Sequence, residues 1–283
     1  MKIDLHTHSS VSDGTDSPAE LMANAATAGL AAIALCDHDT FDGLDEAARA
    51  AAAVGVQLLR GVEISAELDG ESVHLLGYGV RPDQPGLLAE LARVRAGRTE
   101  RIPTMLQRLA AVGMPVPEGV LARHVGDSPS VGRPHLADAM VELGYVADRR
   151  EAFDGWLADD RPIFVPRYGV PLRRGLELVR EAGGATVIAH PWGRQSREVL
   201  SEAVLAELAA SGKLDGVEVD HQDHDQETRD ELRALAGSLG LLATGSSDYH
   251  GLGKMDHELG CNTTAETVYR QLRSRIDERG GVA

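Results

Sequence analysis

The stretch Ile3-Asp4-Leu5-His6-Thr7-His8-Ser9-Ser10-Val11-Ser12-Asp13-Gly14 opens the chain and decides how the rest is interpreted. His6 and His8 end a short apolar run, and side chains two residues apart on a strand point to the same side. Both imidazoles can therefore reach one ion. Asp13 follows five residues later, and Gly14 allows a tight turn that brings this carboxylate towards the same place.

Further clusters of the same residue types strengthen this interpretation, because a His-x-His pair alone is often ordinary strand-end sequence. They are Asp37-His38-Asp39 and Ser246-Ser247-Asp248-Tyr249-His250. Ligand-type residues at the carboxyl ends of strands meet on one face of an α/β barrel. We expect seven residues at or just past such ends, namely His6, His8, His38, Glu63, His190, Asp248 and His250. His74 is expected on the second strand of a hairpin that turns at Asp69-Gly70.

Strands alternate with helices along most of the chain, which indicates a parallel α/β sheet, and the number of repeats favours a barrel. Residues 101–165 break the alternation with short helical segments and no clear strand. We predict a discontinuous barrel domain over 1–100 and 166–283, and a helical insertion over 101–165 that forms one wall of the active site. Helices are expected over 85–113, kinked or broken at Pro103, and over 197–210.

Composition excludes several classes of protein. A formal net charge of −16 over 283 residues argues against a surface that holds long nucleic acid through its phosphates. A small anionic substrate is compatible with it. No apolar run approaches the roughly 18 residues that span a bilayer, and the amino terminus lacks a signal pattern. We expect a cytoplasmic protein that needs no membrane and no protein partner, with Cys36 and Cys261 reduced and buried.

Histidine and carboxylate ligands without cysteine suit Mn²⁺, Fe²⁺ or Zn²⁺, and we expect Mn²⁺ first. Nine candidates exceed what one ion requires, so two or three ions are implied. The candidate metal ligands are His6, His8, Asp13, His38, Glu63, His74, His190, Asp248 and His250.

This set of residues resembles the PHP (polymerase and histidinol phosphatase) superfamily of metal-dependent phosphoesterases. Its pattern is His-x-His with a following Asp or His, Asp-His-Asp, a lone Glu and His, Ala-His-Pro and Ser-Asp-x-His, and each element occurs here in order. The resemblance spans nearly the whole chain and implies the PHP fold, a distorted (β/α)7-type barrel. Two departures are Trp192-Gly193-Arg194 after Ala189-His190-Pro191, which could alter the pocket edge, and Ser246-Ser247 where Gly-Ser is common.

Within the superfamily, two features are similar to one branch. They are the Ser-Asp-Gly form of the first motif and the run Gly132-Arg133-Pro134-His135 in the insertion. That branch removes the 3′-phosphate from nucleoside 3′,5′-bisphosphates and trims short oligoribonucleotides. The resemblance therefore implies a small phosphorylated nucleotide or a short oligonucleotide as substrate.

The resemblance also implies three metal positions. The first is formed by His6, His8, Glu63 and Asp248, the second by the bridging Glu63 with His74 and His190, and the third by Asp13, His38 and His250. A hydroxide that bridges two ions would attack phosphorus in line while the ions neutralise the developing charge. No protein nucleophile is required, and no general acid is assigned.

Candidates for substrate binding lie outside the metal motifs. Arg133 and His135 flank a proline that can open a helix, where amides and a guanidinium can bind a second phosphate. Arg98 and Arg101 lie three residues apart on one helix and could face the cleft or solvent. Asp39 could orient the preceding histidine, contact a substrate hydroxyl or cap a helix. The remaining histidines, expected as ordinary surface or core residues, are His124, His221, His224 and His257.

Three functions are compatible with the sequence. The preferred one is a phosphatase or exonuclease on small nucleotides. A phosphatase acting on histidinol phosphate or another phosphomonoester is the second, and the helical insertion with Arg133 argues against it. A metal-binding module without catalysis is the third, and the presence of every ligand position argues against that.

Overall fold

Eight strands form one sheet in the computed structural model, which describes residues 1–193 and 196–282. They are β1 (Ile3–Thr7), β2 (Ala32–Leu35), β3 (Gln57–Leu68), β4 (Glu71–Tyr78), β5 (Val170–Pro171), β6 (Ala185–Ile188), β7 (Gly216–Asp220) and β8 (Leu242–Gly245). The order is β1-β2-β3-β4-β6-β7-β8, with β5 paired to β3. Arg194, the last residue of the Trp192-Gly193-Arg194 departure, lies outside the described residues.

The sheet is nearly closed into a barrel, which confirms the predicted α/β barrel class. A backbone bridge joins Thr7 to Tyr249, so the segment after β8 returns to β1. Most neighbouring strands are parallel, but β4 runs antiparallel to both β3 and β6. The predicted hairpin accounts for this reversal: Asp69 and Gly70 have φ values of 52° and 86°, as a tight Asp-Gly turn requires.

Ten α-helices connect and cover the strands within the described residues. They are α1 (Pro18–Thr27), α2 (Leu44–Val54), α3 (Pro85–Ala111), α4 (Glu118–Val125), α5 (Arg133–Glu142), α6 (Arg149–Ala152), α7 (Leu172–Glu181), α8 (Glu202–Ala210), α9 (Gln226–Leu239) and α10 (Glu266–Glu278). A π-helix, Phe153–Leu157, continues α6. α1 begins at a capping box between Ser17 and Glu20.

Of the kink or break predicted at Pro103, the break is wrong, since α3 continues through this residue. A proline inside a helix removes one backbone hydrogen bond. Packing on both sides offsets that loss, because Leu91 belongs to the barrel core and Met105 to the core of the insertion. The predicted domain boundary at residue 100 therefore falls within a continuous helix.

The helix expected from residue 197 starts later. It begins at Glu202, where the Ser201 side chain accepts a hydrogen bond from Val204 N–H, and a turn precedes it. A side-chain cap of this kind satisfies an otherwise free N–H group and fixes where a helix begins.

The insertion has its own apolar core and rests on the loop after β1. Leu136 and Met140 of α5 are fully buried in that core. The Ser128 hydroxyl donates to Val11 O at 2.8 Å, and Arg149 Nη1 donates to Asp13 O at 3.1 Å. The insertion therefore lies beside the loop that carries the candidate ligand Asp13.

The two cysteines differ in their surroundings. Both are free thiols, but Cys36 is buried and Cys261 is exposed, so the expected burial is wrong for Cys261. Among the helices of the described ranges, none is long and apolar enough to cross a membrane.

Candidate active site

Five imidazole rings surround the carboxylate of Glu63, whose side chain is 1% exposed. The nearest ring nitrogens lie 2.7 Å (His74 Nδ1), 3.1 Å (His38 Nδ1), 3.2 Å (His8 Nε2), 3.3 Å (His6 Nε2) and 3.4 Å (His190 Nε2) from its oxygens. Burial alone would raise the pKa of Glu63, but the surrounding histidines, His38 first, hold it well below its usual range. The carboxylate is therefore ionised and forms the centre of the cluster.

Glu63 lies inside β3, not at its carboxyl end as expected. β3 pairs in parallel with β2 only over residues 57–60, and from Gly61 onwards it pairs with β4. The ladder with β2 therefore ends at Arg60, and an isolated parallel bridge then joins His38, which follows β2, to Glu63. The hairpin then carries His74 back to the same site.

Two further groups complete the cluster, so that the structure brings all nine candidate ligands together. Asp13 Oδ1 lies 3.3 Å from His250 Nε2, and Asp13 Oδ2 lies 3.6 Å from His38 Nε2. Asp248 Oδ1 lies 3.4 Å from His8 Nε2. The ligand atoms of three groups each lie within 4.8 Å of one another, namely His8-Asp13-His38-His250, His6-His8-Asp248 and His38-Glu63-His74.

The loop after β1 is held in place by Asp37. Its carboxylate accepts from Ser9 N–H at 2.8 Å and from the Ser12 hydroxyl at 2.7 Å. A Cβ at Gly14 would lie 2.6 Å from His8 O, closer than side chains are found. The turn that places Asp13 beside the histidines therefore needs the glycine of the first motif.

Hydrogen bonds on the outer ring nitrogens determine which nitrogen faces the cluster. His6 Nδ1 lies 3.3 Å from Glu218 Oε1, and His250 Nδ1 lies 2.8 Å from Asp248 O. Each acceptor places the proton on Nδ1 and leaves the Nε2 lone pair directed inwards. Burial lowers the pKa of His38 to about 3, so this imidazole is neutral at pH 7.

The cluster has the chemistry of a divalent cation site. Among the described residues, three of its buried atoms make no hydrogen bond of regular geometry, namely His38 Nδ1, His74 Nδ1 and Glu63 Oε1, although the last two lie 2.7 Å apart. Buried polar atoms are nearly always satisfied in folded proteins. Nitrogen lone pairs and carboxylate oxygens that converge without sulfur suit Mn²⁺, Fe²⁺ or Zn²⁺. The residues therefore fit more than one metal ion.

A second cluster, which we call the arginine cluster, consists of Arg98, Arg101, Arg133 and Arg167. Burial, followed by repulsion from Arg133, Arg167 and Arg98, lowers the pKa of Arg101 to about 8. Burial and Arg98 lower that of Arg167 to about 9. A guanidinium keeps its proton in proteins, so these shifts reflect the cost of unneutralised positive charge. An anion would relieve that cost.

The members of the arginine cluster differ in how well they are paired. Arg98 donates from Nε to Asp39 Oδ2 at 3.0 Å and from Nη2 to the Ser65 hydroxyl at 2.7 Å. Arg133 donates to Leu157 O at 2.9 Å and pairs with Asp159. Arg101 has only a long bond to Val165 O, at 3.3 Å, and its buried Nε finds no partner within the described ranges.

Two other candidates for substrate binding serve the fold directly. Asp39 is fully buried, and besides Arg98 it accepts from Ser65 N–H at 2.7 Å. Its carboxylate therefore holds Arg98. His135 Nδ1 accepts from Gly132 N–H at 3.0 Å and so caps the start of α5.

The chain was compared with known proteins. The family model described as PHP domain matches residues 4–115. A 3′,5′-nucleoside bisphosphate phosphatase from Chromobacterium violaceum is 34% identical over 278 residues, which is 97% of each chain. The chain belongs to the PHP family.

Other relatives of this PHP protein point to the same chemistry. A 5′-3′ exoribonuclease from Haemophilus influenzae is 33% identical, with 88% of this chain and 90% of that protein aligned. A crystal structure of a candidate metal-dependent phosphoesterase from Bifidobacterium adolescentis superposes with a TM-score of 0.91 at 35% identity, covering 96% of each chain. The PHP protein is thus a hydrolase of phosphate esters, with residue clusters that can bind metal.

The sequence did not single out three residues that the PHP fold brings to the cluster. Glu218 contacts His6, and Lys254 pairs with Asp248 Oδ2. His221, expected to be an ordinary residue, is fully buried with Nε2 3.3 Å from Asp248 Oδ2. Its position just after β7 was a usable signal, because other ligand-type residues were found at strand ends in the same way.

His221 could be mistaken for a metal ligand, since it forms a fourth donor group with Asp248 and His257. However, its Nδ1 accepts from Asp223 N–H at 3.0 Å. Nε2 therefore carries a proton, which it donates to Asp248. His221 is best described as a hydrogen-bond donor to a ligand.

Proposed function

We propose that this PHP-family enzyme hydrolyses the 3′-phosphate of nucleoside 3′,5′-bisphosphates, with trimming of short 5′-phosphorylated oligonucleotides as a second activity. The observation that carries the proposal is that the cluster of candidate metal ligands and the arginine cluster are both incompletely paired within the described residues. One presents lone pairs and carboxylates suited to cations, and the other presents buried arginines suited to an anion. A substrate with two phosphates satisfies both.

The two clusters are joined through short stretches of chain. Arg98 is bonded to Asp39, which follows the candidate ligand His38, and to Ser65, which lies two residues after Glu63. A phosphate on the arginine cluster would therefore be positioned relative to the metal ligands by rigid strand ends. Such positioning is how an enzyme turns binding energy into correct orientation.

We assign the nine ligands to three metal positions. The first has His6, His8, Glu63 and Asp248, the second Glu63, His74 and His190, and the third Asp13, His38 and His250. Mn²⁺ is the proposed ion, with Fe²⁺ and Zn²⁺ as alternatives that the same donors accept. When bound, these ions supply charge neutralisation at phosphorus and an activated water.

The other residues of the chain bind and orient the substrate. Arg101 and Arg98 hold the phosphate that is not cleaved, with Arg133 and Arg167 at its edge. Arginine suits this task because its planar fork matches phosphate oxygens, and the chain has only three lysines. His135 shapes the end of the pocket by fixing the start of α5.

Hydrolysis of a defined set of substrates tests the proposal, with inorganic phosphate measured for monoesters and released mononucleotide for dinucleotides. With Mn²⁺ present, we expect the highest kcat/KM for nucleoside 3′,5′-bisphosphates, lower values for 5′-phosphorylated dinucleotides and the lowest for histidinol phosphate and aryl phosphates. Chelator should abolish hydrolysis of all of them. A preference for a simple monoester would overturn the proposed substrate, and no hydrolysis of any substrate would overturn the proposed reaction.

The cytoplasmic location, the absence of a required protein partner and the division into a barrel domain and an insertion stay predictions from the sequence.

A further inference from the structure

We propose that Glu218 is a positioning residue that holds metal ligands of three separate strand ends in register. Glu218 lies on β7, a strand that contributes none of the nine candidate ligands. Its side chain is 1% exposed. This inference rests on the metal positions proposed above.

Each oxygen of Glu218 has a defined partner. Oε1 lies 3.3 Å from His6 Nδ1 and also accepts from the Ser246 hydroxyl, two residues before Asp248. Oε2 accepts from His190 N–H at 2.9 Å. One carboxylate therefore contacts β1, the loop after β6 and the loop after β8.

These contacts control the orientation of the ligands. A carboxylate on His6 Nδ1 keeps the proton there, so Nε2 keeps its lone pair for an ion. His190 has a φ of 29°, an unusual conformation for a residue other than glycine. The bond from its N–H to Glu218 helps to maintain this conformation, which directs the imidazole towards Glu63.

Glu218 is suited to this role and not to that of a ligand. Both oxygens already accept hydrogen bonds from the neighbouring strand ends. Outer carboxylates of this kind typically change metal affinity about 10- to 100-fold when they are removed.

The contacts of Glu218 are selective among the proposed metal positions. His6 and Asp248 belong to the first position and His190 to the second. Asp13, His38 and His250, which form the third, have no contact with Glu218 among the described interactions. Loss of the carboxylate should therefore weaken the first and second positions and spare the third.

The inference is tested by stepwise Mn²⁺ binding to the full-length metal-stripped protein, measured by calorimetry and electron paramagnetic resonance. Four variants are compared with wild type. Glu218→Gln removes the charge with little change in shape, Glu63→Gln disrupts the first two positions, and Asp13→Asn identifies the third. Glu67→Gln, at an exposed residue of β3, controls for the lost charge.

We expect Glu218→Gln to weaken the binding steps that Glu63→Gln disrupts by about 10- to 100-fold. In the same variant, the Mn²⁺ affinity of the binding step identified by Asp13→Asn should stay unchanged. In Glu67→Gln, the affinities of all steps should stay unchanged. Unchanged binding in Glu218→Gln, or equal weakening of every step, would overturn the inference. If wild type and Glu63→Gln bind Mn²⁺ alike, the proposed metal positions themselves are wrong.

Should Glu218→Gln fail to fold, Ser246→Ala decides the question, because it removes one contact to the same carboxylate. Selective weakening of the first two positions in that variant supports the inference, and unchanged binding overturns it.

Discussion

Two buried carboxylates at opposite ends of the sheet differ in how the protein satisfies them. Asp215 precedes β7 and accepts from Thr186 N–H at 2.9 Å and from Arg279 Nη1 at 2.6 Å. Arg275 Nη1 lies 3.1 Å away and Arg180 Nη1 3.4 Å away. Glu63, at the other end, is surrounded by imidazoles, and its Oε1 finds no hydrogen-bond partner among the described residues.

This difference in pairing distinguishes a carboxylate that stabilises the fold from one that serves function. Guanidinium groups fixed by hydrogen bonds neutralise Asp215 within the protein, whereas Glu63 is surrounded by imidazoles that are themselves candidate metal ligands. In barrels, the carboxyl ends of the strands carry the site and the opposite end serves stability. A buried group that the fold leaves unsatisfied therefore indicates where a ligand binds, and the degree of pairing should predict which property a substitution changes.

Glu63→Gln should have the largest effect on activity. The bridging carboxylate serves two proposed metal positions, and loss of several kcal/mol of charge stabilisation corresponds to roughly 1000-fold or more in kcat/KM. Steady-state kinetics with Mn²⁺, together with elemental analysis, measures it.

Glu67→Gln is the matched control for Glu63→Gln and should behave as wild type. Activity of Glu63→Gln within about 10-fold of wild type, the scale expected for a residue that only orients a metal ligand, would contradict the contrast with Asp215.

Arg101→Ala should have the next largest effect and should discriminate between substrates. Its guanidinium is the least paired of the arginine cluster, so it is the one most available to a phosphate. A charge-assisted hydrogen bond of this kind contributes about 1.5–3 kcal/mol. We expect kcat/KM for a nucleoside 3′,5′-bisphosphate to fall by roughly 10- to 100-fold. An aryl monophosphate should be cleaved nearly as before.

Arg108→Ala is the control on the same helix, since Arg108 donates to Phe164 O outside the arginine cluster. Equal losses on both substrates in Arg101→Ala would show that Arg101 acts on the cleaved phosphate or on folding.

The two clusters also differ in how far the sequence could predict them. Most metal ligands occur in short motifs at strand ends, so alternation along the chain, with the turn at Gly14 and the hairpin that carries His74, was enough to predict that the nine would meet. The arginine cluster joins α3, α5 and the segment before β5, and Arg167 belongs to no motif. Its proximity to Arg101 depends on how the insertion packs, which no local pattern encodes. Glu63 shows a third case, because only strand pairing reveals where the ladder between β2 and β3 ends.

Asp215→Asn should change stability and not activity. Asp215 is buried, but the side chains of its three arginine partners are 21–31% exposed. We therefore expect the free energy of unfolding to fall by about 2 kcal/mol, less than the roughly 3–5 kcal/mol typical of fully buried ion pairs. Calorimetry or denaturant unfolding measures this. A fall in kcat/KM together with the fall in stability would contradict the assignment of stability to one end of the barrel and of activity to the other.

Asp215→Asn also tests how the free energy of unfolding depends on pH. Burial would raise the pKa of Asp215, but bonds from Arg279 and Thr186 outweigh burial and lower it. A carboxyl with a lowered pKa stabilises the fold above its unfolded pKa of about 3.9. That contribution is lost as pH falls through the lower folded value. The stability difference between wild type and Asp215→Asn should therefore be constant near neutral pH and shrink only in acid.

Arg133→Ala should have the smallest effect, because Asp159 and Leu157 O already satisfy part of its guanidinium. We expect kcat/KM for a nucleoside 3′,5′-bisphosphate to fall by roughly 10-fold, the scale of one charge-assisted hydrogen bond, and much less for an aryl monophosphate. Asp159→Asn is the matched control, since it frees Arg133 and should not lower activity on the bisphosphate. A loss as large as that of Arg101→Ala would show that pairing within the protein does not set the functional effect. Unchanged kinetics on both substrates would remove Arg133 from the site.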